Sequence, residues 1–251
     1  MIKIVATLIT VFAGAFSASA QADVLKIASS PAVPPYIIPE TNNGIEIDIV
    51  RAALAVVGHE AEFSTLPFPR VVARMRDGEF DAALTISKSA DLPLGNSHYS
   101  DNHITFQNVA ITLKDRDLKI ESIADLSDKS IAAFEFAREY LGPEFAAMAA
   151  KNPLYREISP STSQLLPTLF SGRADVIVIE INIFKYHRLV YDLPRDTGQG
   201  VTFHPIFPLN PFRVAFTDEG YRDDFNEGLA QIRKSGVFDD IIARYTSITG
   251  Q

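Results

Sequence analysis

The chain contains no cysteine among its 251 residues. That excludes a disulfide framework, thiol chemistry and a lipid-modified N-terminal cysteine, and leaves the fold to be held by its apolar core. Basic charge is in short supply as well. Setting aside Lys3, 22 of the 23 basic side chains remain against 31 acidic ones, a formal charge of −9, which repels phosphate backbones and argues against nucleic acid as a partner. G-x-S-x-G, P-loop and G-x-G-x-x-G motifs are all missing, and "TGQG" reads only as a loop signal. Of the histidines, His98 and His103 in "HYSDNH" lack both a third spaced ligand and the i, i+4 spacing of helical zinc sites. Neither a metal nor a cofactor is expected.

One long apolar run is present, at the start. Lys3, the run "IVATLITVFAGAF" and the small residues "SASAQA" follow the order of a secretory signal peptide, with cleavage expected near Ala22 or at Ala20. The run is shorter than the roughly 20 residues that span a bilayer, and no second one follows. The remaining chain, drawn from a sequence 47% hydrophobic and 22% charged, has the composition of a folded globular protein.

Its periodicities alternate. "VLKIASS" predicts a strand, "GIEIDIVRAALAVVG" a helix with Ile47, Val50, Leu54 and Val57 on one face, "AEFSTL" a strand, "PRVVARMRDG" a short helix and "FDAALTI" a third strand. The same grammar returns in "KSIAAFE", "AREYLGPEFAAMAAK", "LYREIS", "STSQLLPTLFSG" and "ADVIVIEI". "MRDGEFDAALTI" and "LFSGRADVIVIE" even share their spacing, a glycine closing a helix (Gly78, Gly172) and an aspartate opening a strand (Asp81, Asp175). The expectation is two α/β lobes with parallel sheets. "ITFQNVAITLKDRD" carries the chain into the second lobe and "NPFRVAFT" brings it back, followed by two helices. Lobe boundaries are set at 23–111 with 210–251, and 112–209.

In parallel α/β sheets, ligands bind at the carboxyl ends of strands. Those ends carry Ser29 and Ser30, then Thr85, Ser87 and Lys88, then Glu135 to Arg138, and finally Glu180. Lys88 is either a ligand contact or a solvated lysine. Arg70 and Arg138 stand at predicted helix starts, where a cation is unfavourable unless it meets an anion; the alternative is a snorkelling surface arginine. Tyr36 follows the extended "PAVPP" on a loop, either as a recognition residue or as a core aromatic. Glu180 ends an apolar strand, where a carboxylate is costly unless a ligand cation or a neighbouring base pairs with it, and Glu135 is a weaker instance of the same kind.

Together, "LKIASSPAVPPYIIPETNNGIEIDIVRAAL", "RMRDGEFDAALTIS", "HYSDNH", "IESIADLSDKSIAAF", "LFSGRADVIVIE" and "FNEGLAQIRKSGVFDDIIARY" resemble, in order and spacing, the bacterial extracellular solute-binding proteins of family 3. The resemblance implies two α/β lobes of the periplasmic-binding-protein type II, joined by two crossing strands around a ligand cleft. It also implies site residues. Tyr36 matches an aromatic lid and Phe68 the apolar residue that sandwiches the ligand with it. Thr85 and Lys88 fall at hydroxyl positions that hold the ligand's carboxylate, and Pro93 stands where the family has a carboxylate-clamping arginine. Ala137 to Glu139 match a helix start offering N–H groups, Thr162 and Ser163 match polar positions opposite, and Glu180 replaces an aspartate that holds the ligand's ammonium. The implied function is a periplasmic receptor, expected to be a monomer and not an enzyme, that closes on a small amino-acid-like, anionic or zwitterionic solute and delivers it to an inner-membrane ABC permease. A cyclohexadienyl-dehydratase-like enzyme, with Glu180 or Glu135 as its acid, and a sensory receptor are the alternatives.

Overall fold

The computed structural model describes residues 23–29, 33–87, 94, 96–158, 162–190 and 198–247; the expected signal peptide, Ser30, Lys88 and Pro93 lie outside them, as do the side chains of Phe68 and Ser87. Strand β1 (Val24–Ser29) pairs in parallel with both β2 (Glu60–Thr65) and β3 (Ala82–Ser87). Between them run helix α1 (Ile45–Ala55) and helix α2 (Phe68–Arg76), the latter with proline in its first turn, where the missing N–H costs nothing. α1 ends before Val57, which falls in the following turn. After the two-residue β4 (His98–Tyr99), β5 (Ile104–Phe106) is the last element of the first sheet before the chain leaves it.

β6 (Asn108–Leu113) already belongs to the second sheet. Its hydrogen-bonded neighbours are both in that sheet, so residues 108–111, expected in the first lobe, pair in the second and the switch falls at Gln107. There β7 (Ile131–Phe134) pairs in parallel with β8 (Tyr155–Ile158) and with β9 (Val176–Glu180). The single helix expected over 137–151 is two, α3 (Ala137–Tyr140) and α4 (Pro143–Lys151), because Gly142 has a left-handed φ of 91° and Pro143 has no N–H to continue the ladder. α5 (Leu165–Phe170) is preceded by a 3-10 turn over 162–164. α6 (Ile181–Val190), which starts directly at the end of β9, was not expected.

β10 (Val201–His204) closes the second sheet, and β11 (Asn210–Phe216) returns to the first, antiparallel to β3. α7 (Glu219–Ser235), capped by the Asp218 carboxylate on the Gly220 N–H at 2.7 Å, and α8 (Val237–Thr246) complete the described chain. Gly228 of α7 lies so close to α1 that an added Cβ would sit 1.8 Å from the Ala53 carbonyl oxygen. The largest apolar cluster is continuous across the two sheets, joining Tyr36, Ile104 and Phe212 to Ile183 and Phe184. None of the helices among the described residues is long and apolar enough to cross a membrane.

The repeat seen in the sequence has a common geometry. Gly78 and Gly172 adopt φ of 71° and 70°. Asp81 accepts the Lys26 N–H of β1 at 2.8 Å, and Asp175 accepts the Ser130 N–H at 3.0 Å just before β7. In each lobe the aspartate ties the entry of one strand to its parallel neighbour.

Candidate functional site

At the ligand edge of the first sheet, Thr85 is held in the left-handed region with φ 59°, an outlier for a β-branched residue. Both of its donors go to one carboxylate. Its N–H donates to Glu46 Oε1 at 2.8 Å and its hydroxyl to Glu46 Oε2 at 2.8 Å. Glu46 sits in the first turn of α1 with no solvent exposure, and fully buried His103 donates from Nε2 to Oε1 at 2.8 Å. A buried carboxylate is tolerated only when so surrounded.

At the junction of the lobes, fully buried Tyr36 stacks on Phe106 with centroids 4.0 Å apart, and Phe106 leans on Phe212 at 4.6 Å. Tyr36 is fixed because the N–H groups of Ile45 and Glu46 donate to the Pro35 and Tyr36 carbonyls at 2.8 and 3.1 Å. Gly44 is required there, since a Cβ would sit 2.3 Å from the Tyr36 oxygen. From the second lobe, Asn182 Nδ2 donates to the Tyr36 hydroxyl at 3.0 Å, and that hydroxyl also bonds Glu180. Glu180 accepts the N–H groups of Asn182 (2.8 Å) and Ile183 (2.9 Å), capping α6, and that of Gln107 at a longer 3.3 Å. Burial pushes its carboxyl up to about 7 while these donors pull the other way. The Tyr36 hydroxyl is likewise raised well above its ordinary value, by burial first and by Glu180 second. Around the Glu180 carboxylate stand backbone N–H groups and the Tyr36 hydroxyl of the chain itself, and no basic side chain is paired with it among the described residues.

In the second lobe Phe136 takes φ 64° at the start of α3. Glu157 of β8 accepts the Phe136 N–H at 3.0 Å, the Arg138 N–H at 3.3 Å, Arg138 Nε at 3.2 Å and the Tyr155 hydroxyl at 2.8 Å. Burial pushes the Glu157 carboxyl up, but these donors outweigh it and hold it below the usual range. Nearby, Thr162 Oγ1 lies 2.8 Å from Nε2 of His187, whose pKa burial lowers to about 4.

The eleven residues expected at the site thus divide. Tyr36 and Glu180 meet each other across the lobe junction, Thr85 is partly exposed at the strand end, Thr162 and Ser163 are partly buried, and Arg70, Glu135 and Arg138 are exposed. Lys88 and the side chains of Phe68 and Ser87 fall outside the described residues. A cavity of about 300 Å³ is lined by Ile45, His103, Ile104, Arg233 and Phe238 of the first lobe with Asn182 of the second, and by none of the eleven that fall among the described residues. Glu46, His103, Glu157 and Asn182 were missed. Glu46 did leave a signal, an acid inside the apolar run "GIEIDIV".

The fold has counterparts in known proteins. An ancestral cationic amino acid solute-binding protein (AncCDT-1) shares 20% identity over 89% of this chain and 96% of its own, with a TM-score of 0.69. The second substrate-binding domain of Lactococcus lactis GlnP in its open conformation gives 21% identity, 89% and 95% coverage and 0.67. A histidine kinase sensor domain with similarity to periplasmic binding proteins gives 19%, 90% and 96%, and 0.64. A comparison with curated protein sequences finds no match. Residues 25–248 match the sequence profile of the bacterial extracellular solute-binding proteins, family 3, and the chain belongs to that family.

Proposed function

We propose that this protein is an exported, monomeric receptor that closes its two lobes on a small polar solute and delivers it to an inner-membrane ABC permease. The observation that carries the reading is the double crossing between two mixed sheets, at Gln107 and between His204 and Asn210, which links the two lobes by strands, the connection about which two lobes can hinge onto a solute. Membership of family 3 supports it, and so do the likenesses to a cationic amino acid solute-binding protein and to a GlnP substrate-binding domain. A thermal-shift screen of small metabolites tests it. A true solute at 100 times its Kd should stabilise the protein by about 2.7 kcal/mol. A broad screen without any stabilising solute would count against the receptor reading.

One observation favours an enzymatic reading, the buried Glu180 carboxyl raised to about 7, which suits an acid able to expel a leaving group. Its oxygens, however, face backbone N–H groups and the Tyr36 hydroxyl, and the residue is only 3% exposed. Binding remains the better-supported function, and turnover of a prephenate-like acid by the purified protein would reverse that choice.

A further inference from the structure

Among the described residues, several of the donors that the resemblance assigns to a bound carboxylate are, in this chain, already spent within the chain. Thr85 gives both its N–H and its hydroxyl proton to Glu46. What remains on Oγ1 is lone pairs, so toward a ligand this side chain is an acceptor. In the second lobe the Arg138 N–H and Nε go to Glu157, and the Glu139 N–H goes to the Phe136 carbonyl at 3.0 Å. A ligand carboxylate would have to displace a carboxylate that is also held by the Phe136 N–H and the Tyr155 hydroxyl. The family's clamping arginine is Pro93 here, a side chain with no donor at all. The exposed carboxylates of Glu135 and Glu139, at the end of β7 and in α3, add like-charge repulsion against an anion on the same edge.

We infer that the solute recognised by this cleft presents hydrogen-bond donors, such as an amine or a hydroxyl-rich neutral compound, and carries no free carboxylate. This rests on the receptor reading above and specifies its substrate class. It departs from the anionic or zwitterionic solute expected from the sequence, for the physical reason that Glu46 and Glu157 already accept the Thr85 and Arg138 donors that a ligand carboxylate would need.

Matched pairs decide it. Calorimetry on the purified protein should compare arginine with agmatine and lysine with cadaverine, amino acids against the same cations without their carboxylate, and a wider thermal-shift set should match carboxylic acids with their amine and polyol analogues. The expected result is that the carboxylate-free member binds about tenfold more tightly or better, the scale of one charge-assisted contact. Tighter binding of the acids, lost in Lys88→Met or Arg70→Gln, would overturn the inference and give those cations the role of carboxylate reader. A protein stabilised by no solute of either kind would sink the receptor reading, and the inference with it. A second measurement needs no natural ligand. Glu157→Ala empties the cradle at Phe136 and Arg138, so acetate should raise the melting temperature of the variant and not that of the wild type. Equal stabilisation of both by acetate would show that the cradle is open in the wild type, and would contradict the inference.

Discussion

Replacing Glu46 by glutamine tests the account where its geometry is tightest. Three donors converge on this side chain: the Thr85 N–H, the Thr85 hydroxyl and His103 Nε2, each at 2.8 Å. Glutamine keeps one accepting oxygen and turns the other into an NH2, which then faces a donor with no water to relieve it, because Glu46 and His103 are fully buried. Removing one member of a buried charged network typically costs about 3–5 kcal/mol. Losing the ties on Thr85 also releases a left-handed β-branched residue whose conformation itself costs on the order of 1–3 kcal/mol, so part of the loss is returned if the strand end relaxes. We therefore expect Glu46→Gln to destabilise the fold by about 3 kcal/mol, a fall in melting temperature of roughly 6–12 °C for a chain of this size. Adding Thr85→Gly to that variant should recover about 1 kcal/mol, since glycine takes φ 59° freely. Differential scanning calorimetry of the two variants supplies the test. A loss below about 1 kcal/mol for Glu46→Gln would refute the reasoning, because it would mean that the carboxylate is not the partner holding Thr85.

Two buried groups should shape stability against pH with opposite signs. Glu180 has its folded pKa raised from 4.5 to about 7, so its protonated form is favoured by folding and its contribution is lost as pH rises from about 4.5 to about 7. His187 has its pKa lowered from 6.5 to about 4, so stability should rise with pH between about 4 and 6.5. Melting temperatures measured across pH 4–7.5 should therefore fall less steeply, or climb, in Glu180→Gln and climb less in His187→Phe; parallel curves for wild type and variants would contradict both assignments. Gly228→Ala places a Cβ 1.8 Å from the Ala53 carbonyl and must push α7 off α1, costing on the order of 1–3 kcal/mol or preventing folding. A variant as stable as the wild type in urea titration would mean that the two helices do not pack this closely.

Most strands were legible as apolar runs between helix and turn signals, and the repeated Gly-to-Asp spacing pointed to two similar units, while the short β4 and β10 were not read from the sequence. α6 was not legible, because Ile181 continues the apolar strand without a break and the residue that starts the helix, Glu180, looks from the sequence like the end of a strand. Only the fold shows that its carboxylate turns back to cap Asn182 and Ile183. Gly142 and Pro143 could have split the 137–151 helix, since both disfavour a continuous ladder. The partners of the expected site residues were not legible. Thr85 and Glu180 do stand at strand ends, but whether a hydroxyl donates to a ligand or to a buried glutamate depends on contacts between residues 39 apart in the chain. Glu157 was not read as part of the site, because apart from Tyr155 on its own strand its partners, Phe136 and Arg138, lie 19–21 residues away at the start of α3.

Small-angle scattering of the purified protein, with and without a saturating solute whose binding calorimetry has established, tests the central claim most directly. Closure of two lobes about the crossings at Gln107 and 205–209 predicts a smaller radius of gyration with solute and a shift of the distance distribution toward shorter lengths. An unchanged radius of gyration at full saturation would contradict closure on a solute held between the lobes.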